Sequence, residues 1–285
     1  MSHKSISTVF RIEPFVYKTV LLRGPEHAAQ FLGALINDRP PEFAQSYVKA
    51  LCIRPSIPLG LTIQLLTTCS GLESLALWIP PQSDTADLIN LLSSLPLTSL
   101  SLVLASIQPT SYRNPVLQNH PVFVNITHLD IVDHWMLWTS THGIENLPLL
   151  THVAFRFWSR GSVSAALSTI LRESPKLRVL ILLADSKVLP GTRVYLYEQG
   201  IRDIRVVVLQ HARDADEWES MERDSVTMWQ RADMIVRWRR CNRGLCMVCG
   251  RVKTERFVTA GPFDFPPGFS FGSVEAPSEH TPYRC

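Results

Sequence analysis

Eight short stretches of this chain follow one order: apolar, two variable places, apolar, one variable place, apolar. They are Tyr17/Val20/Leu22, Val48/Leu51/Ile53, Leu72/Leu75/Leu77, Leu97/Leu100/Leu102, Ile126/Leu129/Ile131, Leu150/Val153/Phe155, Leu177/Leu180/Leu182 and Ile201/Ile204/Val206. The first members fall at positions 17, 48, 72, 97, 126, 150, 177 and 201, so the intervals run from 24 to 31 residues. Alternation over the last three places is the period of a strand with one apolar face. Between strands the period becomes helical. Ala28, Phe31, Leu32, Leu35 and Ile36 make one stripe, opened by Pro25 and stopped by Pro40 and Pro41. Leu88, Leu91, Leu92 and Leu95 make a second after Ser83 or Asp84, and Leu167, Ile170 and Leu171 a third after Ser162 or Ser164. Glycine or proline stands at the junctions: Gly71 before Leu72, Pro96 before Leu97, Pro148 and Pro175 two before Leu150 and Leu177, Gly200 before Ile201. Residues 105–124 and 132–147 lack a clear helical period and predict loops.

Strand, helix and breaker in this rotation, at this spacing, predict an α/β chain. The expected architecture is a leucine-rich-repeat-like β/α solenoid with a parallel sheet over residues 15–210. Residues 1–14 are a short leading segment. Residues 211–240 change character: Trp218, Met221, Trp229, Ala232 and Val236 share a helical face, with acidic residues early and Arg237, Arg239 and Arg240 late. A repeat stack needs a polar end, and this stretch is expected to be its helical cap. Residues 241–285 have breakers every few positions and read as a poorly ordered tail.

Composition narrows the function. A hydrophobic content of 46% supplies a core, and a net charge of +3 is too small to argue for nucleic acid. No apolar run is long enough to span a membrane, and the first residues lack a signal-peptide core, so a cytoplasmic or nuclear setting is expected. In a reducing compartment Cys52 and Cys69 act as small apolar side chains.

The phrases Gly71-Leu-Glu-Ser-Leu-Ala-Leu-Trp-Ile79, Leu92-Ser-Ser-Leu-Pro-Leu-Thr-Ser-Leu-Ser-Leu102, Asn125-Ile-Thr-His-Leu-Asp-Ile131, Leu147-Pro-Leu-Leu-Thr-His-Val-Ala-Phe155 and Lys176-Leu-Arg-Val-Leu-Ile-Leu-Leu183 resemble the leucine-rich-repeat-like region of fungal F-box-type proteins. The similarity covers roughly residues 15–240. It implies a substrate-recognition subunit of a ubiquitin ligase, in which an F-box of three helices docks on a Skp-type adaptor and the repeats hold the substrate. Glu13-Pro-Phe-Val-Tyr-Lys-Thr-Val-Leu-Leu22 resembles the sequence that follows the F-box. Only about a dozen residues precede it, too few for three packed helices, so the F-box is expected to be missing and adaptor binding is in doubt.

The variable places of each strand should line the concave sheet face. Trp78, His128, Asp130, His152, Arg156, Asp203 and Arg205 are the expected partner-binding residues for a protein ligand, because tryptophan and arginine dominate binding hot spots. On this reading His128 and His152 are neighbours with Asp130 close by, Trp78 and Arg156 share a row, and Ser101 faces solvent. No nucleophile elbow or phosphate-binding loop is present, so no catalytic residue, metal or cofactor is expected. Two alternatives remain. One is metal or nucleic-acid binding through Cys241, Cys246 and Cys249 with Arg237, Arg239, Arg240 and Arg243. The other is a hydrolase or transferase centred on His128, Asp130 and His152.

Overall fold

The computed structural model describes residues 15–80, 86–107, 117–134, 141–157, 163–210, 218 and 227–248. The expected positions in 1–14 and 249–285 lie outside them. The described chain is α/β. Its strands are β1 (Thr19–Leu22), β2 (Ala50–Ile53), β3 (Ser74–Leu77), β4 (Ser99–Leu102), β5 (His128–His134), β6 (His152–Arg156), β7 (Val179–Ala184) and β8 (Val206–Gln210). They form one sheet, every pair parallel, in the order of the sequence.

Register follows the apolar places. Val20, Leu51, Leu75, Leu100, Leu129, Val153, Leu180 and Val206 stand side by side, and so do Leu22, Ile53, Leu77, Leu102, Ile131, Phe155, Leu182 and Val208. These two columns are buried against one layer of connecting helices. The helices are α1 (Pro25–Asn37), α2 (Glu42–Tyr47), α3 (Leu59–Thr68), α4 (Ala86–Ser94), α5 (Val163–Glu173) and α6 (Leu189–Glu198). Pro25 sits in the first turn of α1 as its fixed φ favours, and Ala28, Leu32 and Leu35 form the buried stripe. Among the described residues, the connections on either side of β5 carry short 3₁₀ turns at Leu104–Ser106, Leu117–Asn119, Pro121–Phe123 and Ile144–Asn146. Their Leu117, Phe123 and Ile144 fill the same core. Cys52 and Cys69 are buried free thiols, and burial pushes the Cys69 thiol up to about 12.

A second repeating contact precedes the strands β3 to β7. The carbonyl of Glu73 accepts the amides of Thr98 and Ser99 at 2.9 and 3.1 Å, that of Thr98 those of Thr127 and His128, and that of Thr127 those of Thr151 and His152. The hydroxyls of Thr98, Thr127 and Thr151 reach back to the same carbonyls of the preceding rung at 3.3, 3.0 and 3.1 Å. These strands are thus pinned to their neighbours before the ladder begins, which fixes register at the strand's first residue.

Two departures from the sequence reading bear on the site. In the eighth rung Leu180 pairs with Val206, where the repeat pattern puts Ile204. The strand starts two residues late, and Asp203 and Arg205 lie before it. The C-terminal helix α7 (Met228–Val248) runs past Arg240, into the stretch expected as tail. Nor does it close the stack simply as a cap. Its Ala232, Ile235 and Val236 pack on Ala154, Val179, Ile181, Leu183 and Val207, on the sheet face away from the other helices.

Leu129 is fully buried in the central column, so Leu129→Ala is expected to lower the unfolding free energy by roughly 2–5 kcal/mol. A Cβ on Gly71 would lie 1.9 Å from the backbone oxygen of Gln45, so Gly71→Ala must displace backbone and is expected to cost about 1–3 kcal/mol. Urea melts of the two variants check both values.

Candidate functional site

The face away from the connecting helices is apolar at both ends and polar in the middle. In register across it stand Leu21, Cys52, Ala76, Ser101, Asp130, Ala154, Ile181 and Val207. Trp218 covers Leu21, Ala50, Cys52 and Ala76 at one end, and α7 covers Ala154, Ile181 and Val207 at the other. Between them the polar groups bond to one another. The Trp78 indole Nε1–H donates to Ser101 Oγ at 2.9 Å, and Ser101 Oγ–H donates to Asp130 Oδ2 at 2.6 Å.

Ser101 was expected to face solvent and is instead 6% exposed; Asp130 is 7% exposed. Burial pushes the Asp130 carboxyl up, while the Ser101 hydrogen bond and the nearby Arg156 guanidinium pull it down. Asp130 Oδ1 is buried with no hydrogen-bond partner, a costly state for a carboxylate oxygen. Arg156 stands at the end of β6, half-buried. Burial lowers its guanidinium, and Asp130 and Asp133 raise it. It does not share a simple row with Trp78: an irregularity between Ile131 and His134 puts His134 opposite Arg156, where the repeat would place Val132.

The two expected histidines do meet. His128 and His152 are cross-strand partners whose rings stack at 4.2 Å between centroids, with 10° between planes. The carboxylate they meet is Asp233 of α7, at 3.3 Å from His152 Nε2, and not Asp130. Trp229, one turn earlier, sets its edge against both rings at 5.3 and 5.9 Å. Thr127 and Thr151 hold the two Nδ1 atoms through their hydroxyls at 2.9 and 2.8 Å. Burial, then the neighbouring His152, brings His128 down to about 4, against the pull of Asp233; burial also lowers His152. Burial thus disfavours the charged form of both rings, and His152 is 3% exposed.

Asp203 and Arg205 do not belong to this face. Arg205 grips Asp203 through Nε and Nη2 at 3.0 and 2.8 Å. It also donates to the carbonyls of Leu171, Ser174 and Leu177. Those carbonyls include the open C-terminal end of α5, so the pair caps a helix, which explains why β8 starts late. Arg239 likewise is no helix-terminal cation. It is buried, and Nη1 donates to the carbonyls of Ile204 and Val206 at 3.1 and 2.7 Å.

Sequence reasoning missed Asp233 and the start of α7. A signal for the start existed: Thr227 Oγ1 accepts the Gln230 amide at 3.2 Å and Gln230 Oε1 accepts the Thr227 amide at 2.8 Å, a capping box. Cys241 is an exposed free thiol on α7; the side chains of Cys246 and Cys249 lie outside the described residues. Among the described residues no group of three histidine, cysteine, aspartate or glutamate side chains could hold a metal ion, and no helix is long and apolar enough to cross a membrane.

Ser101→Ala removes the acceptor of the Trp78 N–H and the donor to Asp130 together. It is expected to destabilise the fold by roughly 1–3 kcal/mol in urea melts, well above the few tenths of an exposed serine. No family model matches the chain, nor does any curated protein or any solved structure.

Proposed function

We propose that this chain is a non-enzymatic protein-binding scaffold: a leucine-rich-repeat-like β/α solenoid that presents the polar strip of its sheet to a partner protein. The resemblance in the repeat phrases gives the proposal its biological form, the substrate-recognition region of an F-box-type ubiquitin-ligase subunit. Sequential parallel strands, two unbroken apolar columns and one layer of connecting helices support the solenoid reading.

The observation that carries the binding role is the polar strip itself. Trp78, Ser101 and Asp130 are joined across three adjacent strands, with Arg156 one strand on, between the Trp218 contact and α7. Trp78 and Arg156 are partly exposed, and the bond from Trp78 to Ser101 fixes the indole, so little ordering entropy remains for it to lose on binding.

Crosslinking and affinity purification of the full chain, beside Trp78→Ala and Arg156→Glu variants of matched urea midpoint, test the reading. A partner protein whose recovery falls at least about tenfold with either variant is expected, as for a hot-spot residue. Recovery of no protein, or of proteins indifferent to both changes, overturns it. A purified Skp-type adaptor added in the same assay tests ligase membership separately.

A further inference from the structure

We propose that the His128–His152 stack is an acid-operated release for α7: protonation of the two rings frees the helix from the sheet and bares the β5–β8 face. The inference concerns the helix alone and stands apart from whatever the face binds. Its basis is geometric. The two imidazoles lie nearly parallel at 4.2 Å, one on each of two adjacent strands, and Trp229 closes over both. Neutral rings suit this packing. Thr151 Oγ1 lies 2.8 Å from His152 Nδ1 and Asp233 Oδ2 lies 3.3 Å from Nε2, so the ring is the point at which α7 meets the polar part of the sheet.

Two imidazolium rings at this separation repel each other, and only one carboxylate faces them. The described charged groups around the stack are Asp233 on α7, which favours the charged ring, and Arg178 just ahead of β7, which opposes it. Arg178 Nη2 also lies 4.0 Å from Asp233 Oδ1 and draws on the same carboxylate. The strands supply Thr127 and Thr151, which are uncharged. The first turns of α7 also pack on the sheet through Met228, Trp229, Ala232, Ile235 and Val236, and Arg239 further along bonds the carbonyls of Ile204 and Val206.

With the helix attached, His128 stays neutral down to about 4, and His152 is also held below its ordinary value; with the helix away, both rise toward the ordinary 6.5. The detached form therefore binds more protons, and attachment weakens as pH falls from about 6.5 toward about 4. For His128 alone the difference weakens attachment roughly a hundredfold at pH 4.

Hydrogen–deuterium exchange of the full chain, corrected for intrinsic rates, reads this directly. Between pH 7 and pH 4 the amides of 231–236 are expected to lose about a hundredfold in protection while those of β2, β3 and β4 keep theirs. In the double variant His128→Phe/His152→Phe, which keeps the stack without titration, protection of 231–236 should not change with pH. Asp233→Asn, a milder change, should move the loss to higher pH, because the group that stabilises the charged ring in the attached state is gone. Three results overturn the proposal: no loss in the natural chain down to pH 4, simultaneous loss in α7 and in β2–β4, or an unmoved midpoint in Asp233→Asn.

Discussion

A parallel sheet has two faces, and crossover helices that all lie to one side cover only one of them. Most of the particular features of this molecule follow from that constraint. The column of Leu75, Leu100, Leu129 and Val153 is closed by the connecting helices and the 3₁₀ turns. Among the described residues the opposite face has no such layer. It solves the problem three ways along its width: Trp218 lies over the small apolar side chains of β1–β3, α7 lies over the aliphatic side chains of β6–β8, and the middle strands carry polar groups that bond among themselves. Where the chain returns after β8 is set by where that face is apolar.

The polar middle contains buried ionisable groups, and each is handled differently. Asp130 has one oxygen engaged by Ser101 and a guanidinium nearby. The histidines are kept neutral and locked by threonine hydroxyls that the repeat supplies at the same place in consecutive rungs. The residues that join one strand to the next thus also orient the rings. A packing device repeated for register becomes, at β5 and β6, a device for setting a tautomer.

Much of this was legible in the chain. The strands, their order and the columns of inward leucines follow from a period of two inside a longer repeat, and α1, α4 and α5 from single apolar stripes. What escaped did so for physical reasons. In Ile201-Arg-Asp-Ile-Arg-Val-Val-Val208 two registers two residues apart bury the same kind of side chain, and the choice falls to Arg205, whose carbonyl partners on α5 lie up to 34 positions away. The length of α3 is hard to read because Leu59, Leu61, Ile63, Leu65 and Leu66 spread around the helix without a single stripe. The eight-position pattern placed His128 beside His152, but Asp233 reaches them across 81 positions, and no local spacing reports such a contact. The bulge in β5, which moves Arg156 out of line with Trp78, leaves no sharper mark than Asp133 and His134 at its end.

Arg239 has one more consequence. A last strand ordinarily offers a row of bare backbone acceptors to any extended peptide that drifts alongside. Here the guanidinium already occupies the oxygens of Ile204 and Val206 that a ninth strand would need. Two molecules meeting at this border therefore find part of the row that would join their sheets already taken.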